Sequence, residues 1–278
     1  MSKPKPVRST GPSLVISTQL VGELVRNYVE PNPDSQWVVK LYPEALEGSI
    51  YYRYQYRSRY GDSQFRGEGD AGQRAERSRA NAARRAKGRL RRYAVANRLD
   101  RLATLTYVGI HNDPKQVSAD IGAFFRELRD LLGAPFPYLW VREWHPGGHG
   151  LHVHFLVGKF IHWSLIKEAW GDGRIDIRRK SRPQLRLGDG PAEEARYLAR
   201  YLAKYLSKGS NQNRDEWSHR FDVAQGFQPR PILYSAPNEY EARLLACRKM
   251  GSAPSALWQS RNQENYTGPE VSWMAWNR

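Results

Sequence analysis

Two histidines stand two residues apart in the apolar segment Leu151–Val157, whose sequence is LHVHFLV. The alternation predicts a β-strand, in which side chains at positions i and i+2 point to the same face. His152 and His154 would then present two imidazoles to one side, while Val153 and Phe155 face the core. Such a pair can chelate a divalent cation, although it also occurs as ordinary solvent-facing residues.

A third ligand is expected from the segment that precedes these histidines. Residues 138–157 hold two strand-like stretches around a Pro-Gly-Gly turn, and they are predicted to form a hairpin. The hairpin would place the carboxylate of Glu143 opposite the imidazoles. Two imidazoles and a carboxylate suit Mn²⁺, and Mg²⁺ is also served when phosphate oxygens complete its shell. His145 and His149 are near enough to be rival ligands.

Tyr197, Tyr201 and Tyr205 recur every four residues, which places them on one face of a predicted helix. Lys204 and Lys208 follow the last two tyrosines by three residues each. A phenol ordinarily titrates near pH 10, so it is a weak nucleophile unless an ammonium group or a metal-polarised phosphate assists it. An aromatic stripe packed on a sheet explains Tyr197 equally well. The lysines favour a nucleophilic role for Tyr201 and Tyr205.

The composition favours a polyanionic partner. The chain has 278 residues with a formal net charge of +16, and 40% of its residues are hydrophobic, enough for a real core. A protein that binds ribosomes or membrane surfaces is the alternative. The single cysteine, Cys247, excludes internal disulfides and cysteine-rich zinc sites and suits a reducing cytosol. No apolar run approaches the length of a membrane span.

From residue 93 onward, strand and helix patterns alternate in the order β-α-β-β-α-β-α. The predicted strands are 102–107, 138–143, 151–157 and 174–178, and the predicted helices are 114–132, 164–170 (with Ser164 as N-cap) and 191–208. This order predicts an α+β fold, an antiparallel sheet with helices packed on one side. We expect three parts: a basic N-terminal region (1–92), a central domain (93–235), and a C-terminal helix and tail (236–278).

Two stretches of the N-terminal region suggest contact with nucleic acid. Residues 74–92 carry nine Arg or Lys and one acid, Glu76, which predicts a helix that is basic all round. Such a helix favours an anionic partner, and we expect it to bind DNA. Ile50–Arg57 alternates Tyr with Arg or Gln, which predicts a strand; its tyrosines either pack half a sheet or stack on the bases of a nucleic-acid strand.

Four segments, in this order, resemble the motifs of the HUH endonucleases. Leu102–Tyr107 resembles the first motif, and Glu143 followed by His-Val-His resembles the metal motif. Trp170–Ile177 resembles the strand before the catalytic helix, and Tyr201–Lys208 resembles the two-tyrosine motif. The closest likeness is to rolling-circle replication initiators of small phages and plasmids, and it covers about residues 100–235. It implies a ferredoxin-like or RRM-like core for that region.

The resemblance also implies a chemistry. His152, His154 and Glu143 would hold Mg²⁺ or Mn²⁺ against the scissile phosphate of origin DNA. Tyr201 or Tyr205 would attack that phosphate, become linked to the 5′-phosphate and free a 3′-hydroxyl that primes synthesis, and the other tyrosine would resolve the product. Lys204 and Lys208 would contact phosphate or tune the phenols.

The same resemblance implies partners and a location. Single-stranded origin DNA would be the substrate, and a host polymerase would extend the freed 3′-hydroxyl. The sequence has no GxxxxGK[ST] motif, so a host helicase would unwind the duplex. The expected location is the cytoplasm of a bacterial host.

Three other functions remain open at this point. A transposase or relaxase would share the chemistry, although such proteins usually carry further helices and histidines. A basic protein that binds nucleic acid without catalysis would leave the histidines and tyrosines unexplained. A metal-dependent hydrolase that activates water would form no covalent link to DNA.

Overall fold

The computed structural model describes residues 37–53, 71–145, 147, 150–171, 173–178, 190–205, 220–264 and 270–277. Within these residues the chain forms two five-stranded sheets and five α-helices, and every strand pair is antiparallel. The predicted α+β class with an antiparallel sheet is confirmed. None of these helices is long and apolar enough to cross a membrane.

The helices are α1 (Ala71–Ala96), α2 (Pro114–Leu132), α3 (Trp163–Trp170), α4 (Gly190–Ala203) and α5 (Glu239–Met250). The strands are β1 (Trp37–Tyr42), β2 (Glu47–Tyr52), β3 (Arg101–Thr106), β4 (Tyr138–Trp144), β5 (Leu151–Val157), β6 (Arg174–Arg178), β7 (Phe221–Val223), β8 (Ile232–Ala236), β9 (Ala256–Gln259) and β10 (Val271–Ala275). The predicted order from residue 93 onward is therefore confirmed.

The central sheet has the strand order β6-β3-β5-β4-β7 and carries helices on both faces. The sequence pattern predicts helices on one side only. Residues of both parities are apolar along its strands: on β5, Val153 and Phe155 pack towards α2 and α3, whereas Leu156 packs towards α1 and α4. Because each strand offers apolar side chains to both faces, both faces need a covering layer.

The outer sheet joins the two ends of the described chain, with the order β8-β1-β2-β10-β9. β1 and β2 come from the N-terminal region, whereas β8, β9 and β10 lie near the C-terminus, and α5 covers one face. The domain boundaries at 92 and 235 stay predictions. The first falls within α1, and the strands outside these two boundaries pair with each other.

A buried carboxylate ties α1 to the outer sheet. Glu47, at the start of β2, is almost fully buried and accepts hydrogen bonds from Arg91 (2.7 Å) and Arg92 (3.1 Å). Burial raises the pKa of a carboxyl group, but the hydrogen bonds and charges of these arginines outweigh it, and the pKa of Glu47 lies below its usual value. The C-terminal half of α1 is thus part of the fold and not a free basic helix.

A second buried charge ties α4 to the same sheet. Arg196 donates to the backbone carbonyls of Leu46 (3.3 Å) and Trp276 (3.1 Å), and it pairs with Glu193 one turn before it. The guanidinium therefore fixes the first half of α4 against both ends of the described chain.

Helix and strand ends match the expectations in part. Gly133 adopts a left-handed conformation at the end of α2, as predicted. The N-cap of α3 is His162 and not Ser164, because the imidazole of His162 accepts from the backbone N–H of Ser164. The predicted end of α4 at Lys208, with Gly209 after it, lies outside the described residues, as do residues 54–57 of the strand predicted over Ile50–Arg57.

Candidate active site

Three side chains converge on one point of the central sheet. The Oε2 atom of Glu143 lies 3.3 Å from Nε2 of His152 and 3.0 Å from Nε2 of His154, and the two Nε2 atoms are 3.1 Å apart. In the part of the chain that the structure describes, this is the one group of three or more His, Cys, Asp or Glu with metal-binding spacing.

Strand register explains this convergence. Glu143 on β4 pairs directly with His152 on β5, so the two side chains share a face. His154 lies two residues further along β5, on that same face. The predicted hairpin and the opposition of Glu143 to the histidines are therefore confirmed as geometry.

The same face is divided along the strands. Its apolar part, with Leu139, Val141 and Leu156, packs against α1 and α4. Its polar part holds Glu143 and the two histidines. Both imidazoles are buried, and Glu143 is partly exposed, so the cluster lies at the rim of the helix layer rather than beneath it.

The cluster stabilises an ionised carboxylate. Partial burial raises the pKa of the Glu143 carboxyl group, but hydrogen bonds from His152 and His154 outweigh this effect and lower it to about 2. Glu143 therefore carries its negative charge at any pH near neutrality.

Thr104 orients one of the imidazoles. Its Oγ1 atom lies 2.9 Å from Nδ1 of His154, and the two residues are direct neighbours on β3 and β5. If Nε2 of His154 binds a cation, the ring proton is on Nδ1 and is donated to Thr104. Such outer contacts fix the tautomer and the ring plane of a metal-binding histidine.

The donor set fits a divalent cation. Ligand atoms about 2.1 Å from one ion stand about 3 Å apart when they are neighbours in an octahedron. The three separations between Glu143, His152 and His154 are 3.0–3.3 Å. Neutral imidazoles and one carboxylate suit Mn²⁺ and related ions, and they leave positions open for phosphate oxygens or water.

Two tyrosines of α4 stand over this cluster. The ring of Tyr205, just past the end of α4, stacks on that of His154 with 5.0 Å between centroids and 16° between planes. Its hydroxyl donates to the hydroxyl of Tyr201 at 2.7 Å. Burial, this hydrogen bond and the charge of Glu143 raise the pKa of Tyr205 far above its ordinary value. Without added positive charge this phenol stays protonated.

The other predicted site residues differ in position. Lys204 is exposed, and its Nζ lies 5.7 Å from the ring centre of Tyr201. Tyr197 packs against the helix layer of the central sheet, which agrees with the structural alternative for that residue. Lys208 lies outside the described residues.

The rival ligands do not join the cluster in the described residues. His145 is exposed and lies beside His152, with 5.6 Å between ring centroids, but it is not part of the three-residue group. Its Nδ1 accepts from the backbone N–H of Gly147. His149 lies outside the described residues.

Sequence reasoning did not assign a role to Thr104. The signal was present, because Thr104 alternates in phase with Leu102 on a predicted strand. Asp176 was also missed: it pairs with Thr104 in register, so it lies on the same face one strand further out. Finding either residue requires the strand order β6-β3-β5, which periodicity does not supply.

Residues 100–210 match the family model of the replication-associated proteins of the ORF2 and gene-2-protein type. The match supports a replication initiator. It includes Glu143, both histidines and both tyrosines of the cluster. No curated protein and no solved structure gives a significant match to the chain.

Proposed function

We propose that this protein is a replication initiator of the HUH endonuclease type that nicks single-stranded origin DNA through a tyrosine. The observation that carries the proposal is the contact between a tyrosine and a metal-binding histidine. The ring of Tyr205 lies on His154, and Tyr201 is hydrogen-bonded to Tyr205. The replication-associated family match supports the same conclusion from the sequence.

Glu143, His152 and His154 would hold Mg²⁺ or Mn²⁺. A divalent cation bound there supplies Lewis-acid polarisation of the scissile phosphate and positive charge beside the phenols. The role of Glu143 is then to bring one negative charge that stays ionised. The role of Thr104 is to hold the His154 ring in its ligand orientation.

The proposed reaction is a transesterification. The phenol oxygen of one tyrosine attacks phosphorus, a P–O bond to tyrosine forms, and the P–O3′ bond breaks. The 3′-oxygen leaves with a proton, and the 5′-phosphate stays on the protein. The phosphodiester count is unchanged, so attack by a 3′-hydroxyl reverses the step without ATP. The free 3′-end serves a host polymerase.

We assign the first attack to Tyr205, because its ring contacts His154 and its hydroxyl lies in the pair that faces the cluster. Tyr201, 2.7 Å away from that hydroxyl, is the second nucleophile and would resolve the product when replication returns to the origin. Lys204, exposed beside Tyr201, would contact a DNA phosphate, and Lys208 is assigned the same role.

The proposal extends to partners and place. With no nucleotide-binding loop in the sequence, a host helicase would open the duplex ahead of the polymerase. Both partners, and the bacterial cytoplasm as the location, belong to this proposal.

A covalent-adduct assay tests the function. The full chain is incubated with Mn²⁺ and labelled single-stranded oligonucleotides from its own replicon, and adducts are resolved on a denaturing gel. We expect an adduct with the native protein and none with a chelator, with His152→Ala, or with Tyr201→Phe and Tyr205→Phe combined. Tyr197→Phe is the matched control, because that tyrosine is on the same helix but packs in the core.

Two outcomes contradict the proposal. Cleavage without an adduct would indicate a hydrolase that activates water. Tight DNA binding without cleavage, at every sequence of the replicon and with either metal, would indicate a binding protein without catalysis.

A further inference from the structure

The N-terminal half of α1 extends past the end of the central sheet that carries the metal cluster. Two contacts fix the direction of the helix: the hydroxyl of Tyr93 donates to the carbonyl of Ala224, and Arg89 lies 6.0 Å from the ring centre of Phe221. β7 runs from Phe221 towards Ala224, antiparallel to β4, so Phe221 lies nearer to the Glu143 end. Following α1 backwards from Tyr93 therefore leads towards Glu143.

The length of α1 exceeds what the sheet can cover. Phe221 pairs with Val141, and Glu143 is two residues further along β4, which is about 7 Å. From Arg89 back to Gly72 the helix is about 25 Å long. Most of the helix before Arg89 therefore lies at or beyond the level of the metal cluster.

The two halves of α1 differ in burial. The C-terminal half buries Leu90, Tyr93 and Ala94 against the central sheet and α4. In the N-terminal half every residue from 78 to 85 except the partly buried Ala83 is exposed, as are Gly72, Ala75 and Glu76. Among the side chains that the structure describes there, the exposed cations are Arg79, Arg84, Arg85 and, at the junction, Arg89, against the single exposed acid. A helix with this charge is complementary to DNA.

We propose that this exposed half, residues 72–85, lies in the major groove of duplex DNA next to the nicking site. The inference rests on the proposed function only in taking DNA as the ligand near the metal cluster. An α-helix is about 10–12 Å wide with its side chains, and the major groove of B-DNA is about 12 Å wide.

The side chains favour duplex over single-stranded DNA. Residues 72–85 contain no aromatic residue, so they offer no platform on which unpaired bases would stack. Instead, Ala80, Ala82 and Ala83 alternate with arginines and with Asn81. Small side chains let a helix approach base edges closely, asparagine can pair with adenine, and the arginines contact phosphate or guanine.

This arrangement would give the protein a ruler. α1 is fixed to the central sheet by Leu90 and Tyr93 and to the outer sheet by the Glu47 ion pairs. A duplex held by residues 72–85 would therefore stand at a fixed distance from Tyr205. The nicked phosphate would be selected by its spacing from the bound duplex as well as by its own sequence.

Arg84→Gln combined with Arg85→Gln tests the proposal in the full chain. The control is Arg126→Gln with Arg129→Gln on α2, which removes two exposed arginines on the opposite face of the sheet. Binding to a fluorescent mixed-sequence duplex is measured by anisotropy at several salt concentrations. We expect affinity to fall on the order of tenfold and the log–log salt slope to decrease by about 2, with the control unchanged.

Two further readouts identify the groove and the partner. Methyl green, which occupies the major groove, should displace the native protein, whereas netropsin, a minor-groove ligand, should not. Adduct formation on a short single-stranded oligonucleotide should be the same in the α1 variant and the native protein. Light scattering should give the same molar mass for both.

Each opposite result overturns the proposal. Unchanged duplex affinity in the α1 variant, or an equal loss in the control, shows that residues 72–85 hold no duplex. Loss of adduct on the short oligonucleotide assigns the arginines to the single strand, and a change in molar mass assigns them to a second copy of the chain. If the native protein forms no adduct at all, the nicking function fails, while the duplex measurements still decide this inference.

Discussion

The ring of Tyr205 lies parallel to the ring of His154, with 16° between their planes and 5.0 Å between their centroids. This contact joins the end of α4 to the middle of β5. It means that the candidate nucleophile and the candidate metal ligand are positioned by each other and not only by the fold around them. A change at one should therefore be measurable at the other.

Thr104→Val should weaken cation binding without disturbing the fold. Valine has nearly the same shape but cannot accept the Nδ1 proton of His154, so the ring loses its fixed tautomer. We expect Mn²⁺ affinity to fall about 10–100-fold, as measured by calorimetry. Thr106→Val is the matched control, since Thr106 is on the same face of β3 opposite His152. Equal affinities for native protein and Thr104→Val would remove Thr104 from the site.

Glu47→Gln should change how stability depends on pH. The pKa of Glu47 is lowered in the folded protein, so the unfolded chain takes up the proton first as the pH falls. The stabilisation is thus complete above the ordinary carboxyl pKa and is lost as the pH falls through the lowered value in the folded state. We expect a loss of about 2 kcal/mol at pH 7 and a flatter decline in acid, from urea unfolding.

The exposed neighbour Glu44 supplies the control for that experiment. Glu44→Gln should leave both the free energy of unfolding at pH 7 and its decline in acid close to the native values. If Glu47→Gln behaves in the same way, the buried ion pairs with Arg91 and Arg92 do not hold α1 on the outer sheet.

Gly150→Ala should damage the hairpin that carries the metal ligands. Gly150 has φ +80°, and a Cβ there would come 2.6 Å from the carbonyl oxygen of His111. Gly133 has a similar φ of +68° but open space around it, so Gly133→Ala reports the backbone cost alone, about 1–2 kcal/mol. We expect Gly150→Ala to lower the melting temperature further and to weaken Mn²⁺ binding. Equal losses in the two variants would contradict this.

Local patterns predicted the central sheet well. The strand at Leu151–Val157 and the helix at Pro114–Leu132 have the bounds that period and capping residues indicate. The same alternation placed His152 and His154 on one face, and the short turn of the hairpin placed Glu143 opposite. These features depend on residues close together in the chain, which is why sequence reasoning reaches them.

Contacts between distant segments were not predictable in this way. The pairing of β2 with β10 joins residues more than two hundred positions apart, and nothing in either segment announces its partner. The role of Thr104 depends on β3 being the neighbour of β5. The basic helix also looked uniform in charge, yet Arg91 and Arg92 serve a buried carboxylate while Arg84 and Arg85 face outward.

The most direct test of the account is mass mapping of the tyrosine that becomes linked to DNA. Native protein is allowed to cleave a single-stranded oligonucleotide with Mn²⁺, and the adduct is digested and sequenced by mass spectrometry. We predict 5′-phosphate on Tyr205, loss of first cleavage in Tyr205→Phe, and retention of it in Tyr201→Phe. A linkage at any residue outside this pair, or an adduct that persists in His154→Ala with a chelator present, would contradict a metal-assisted nucleophile at this site.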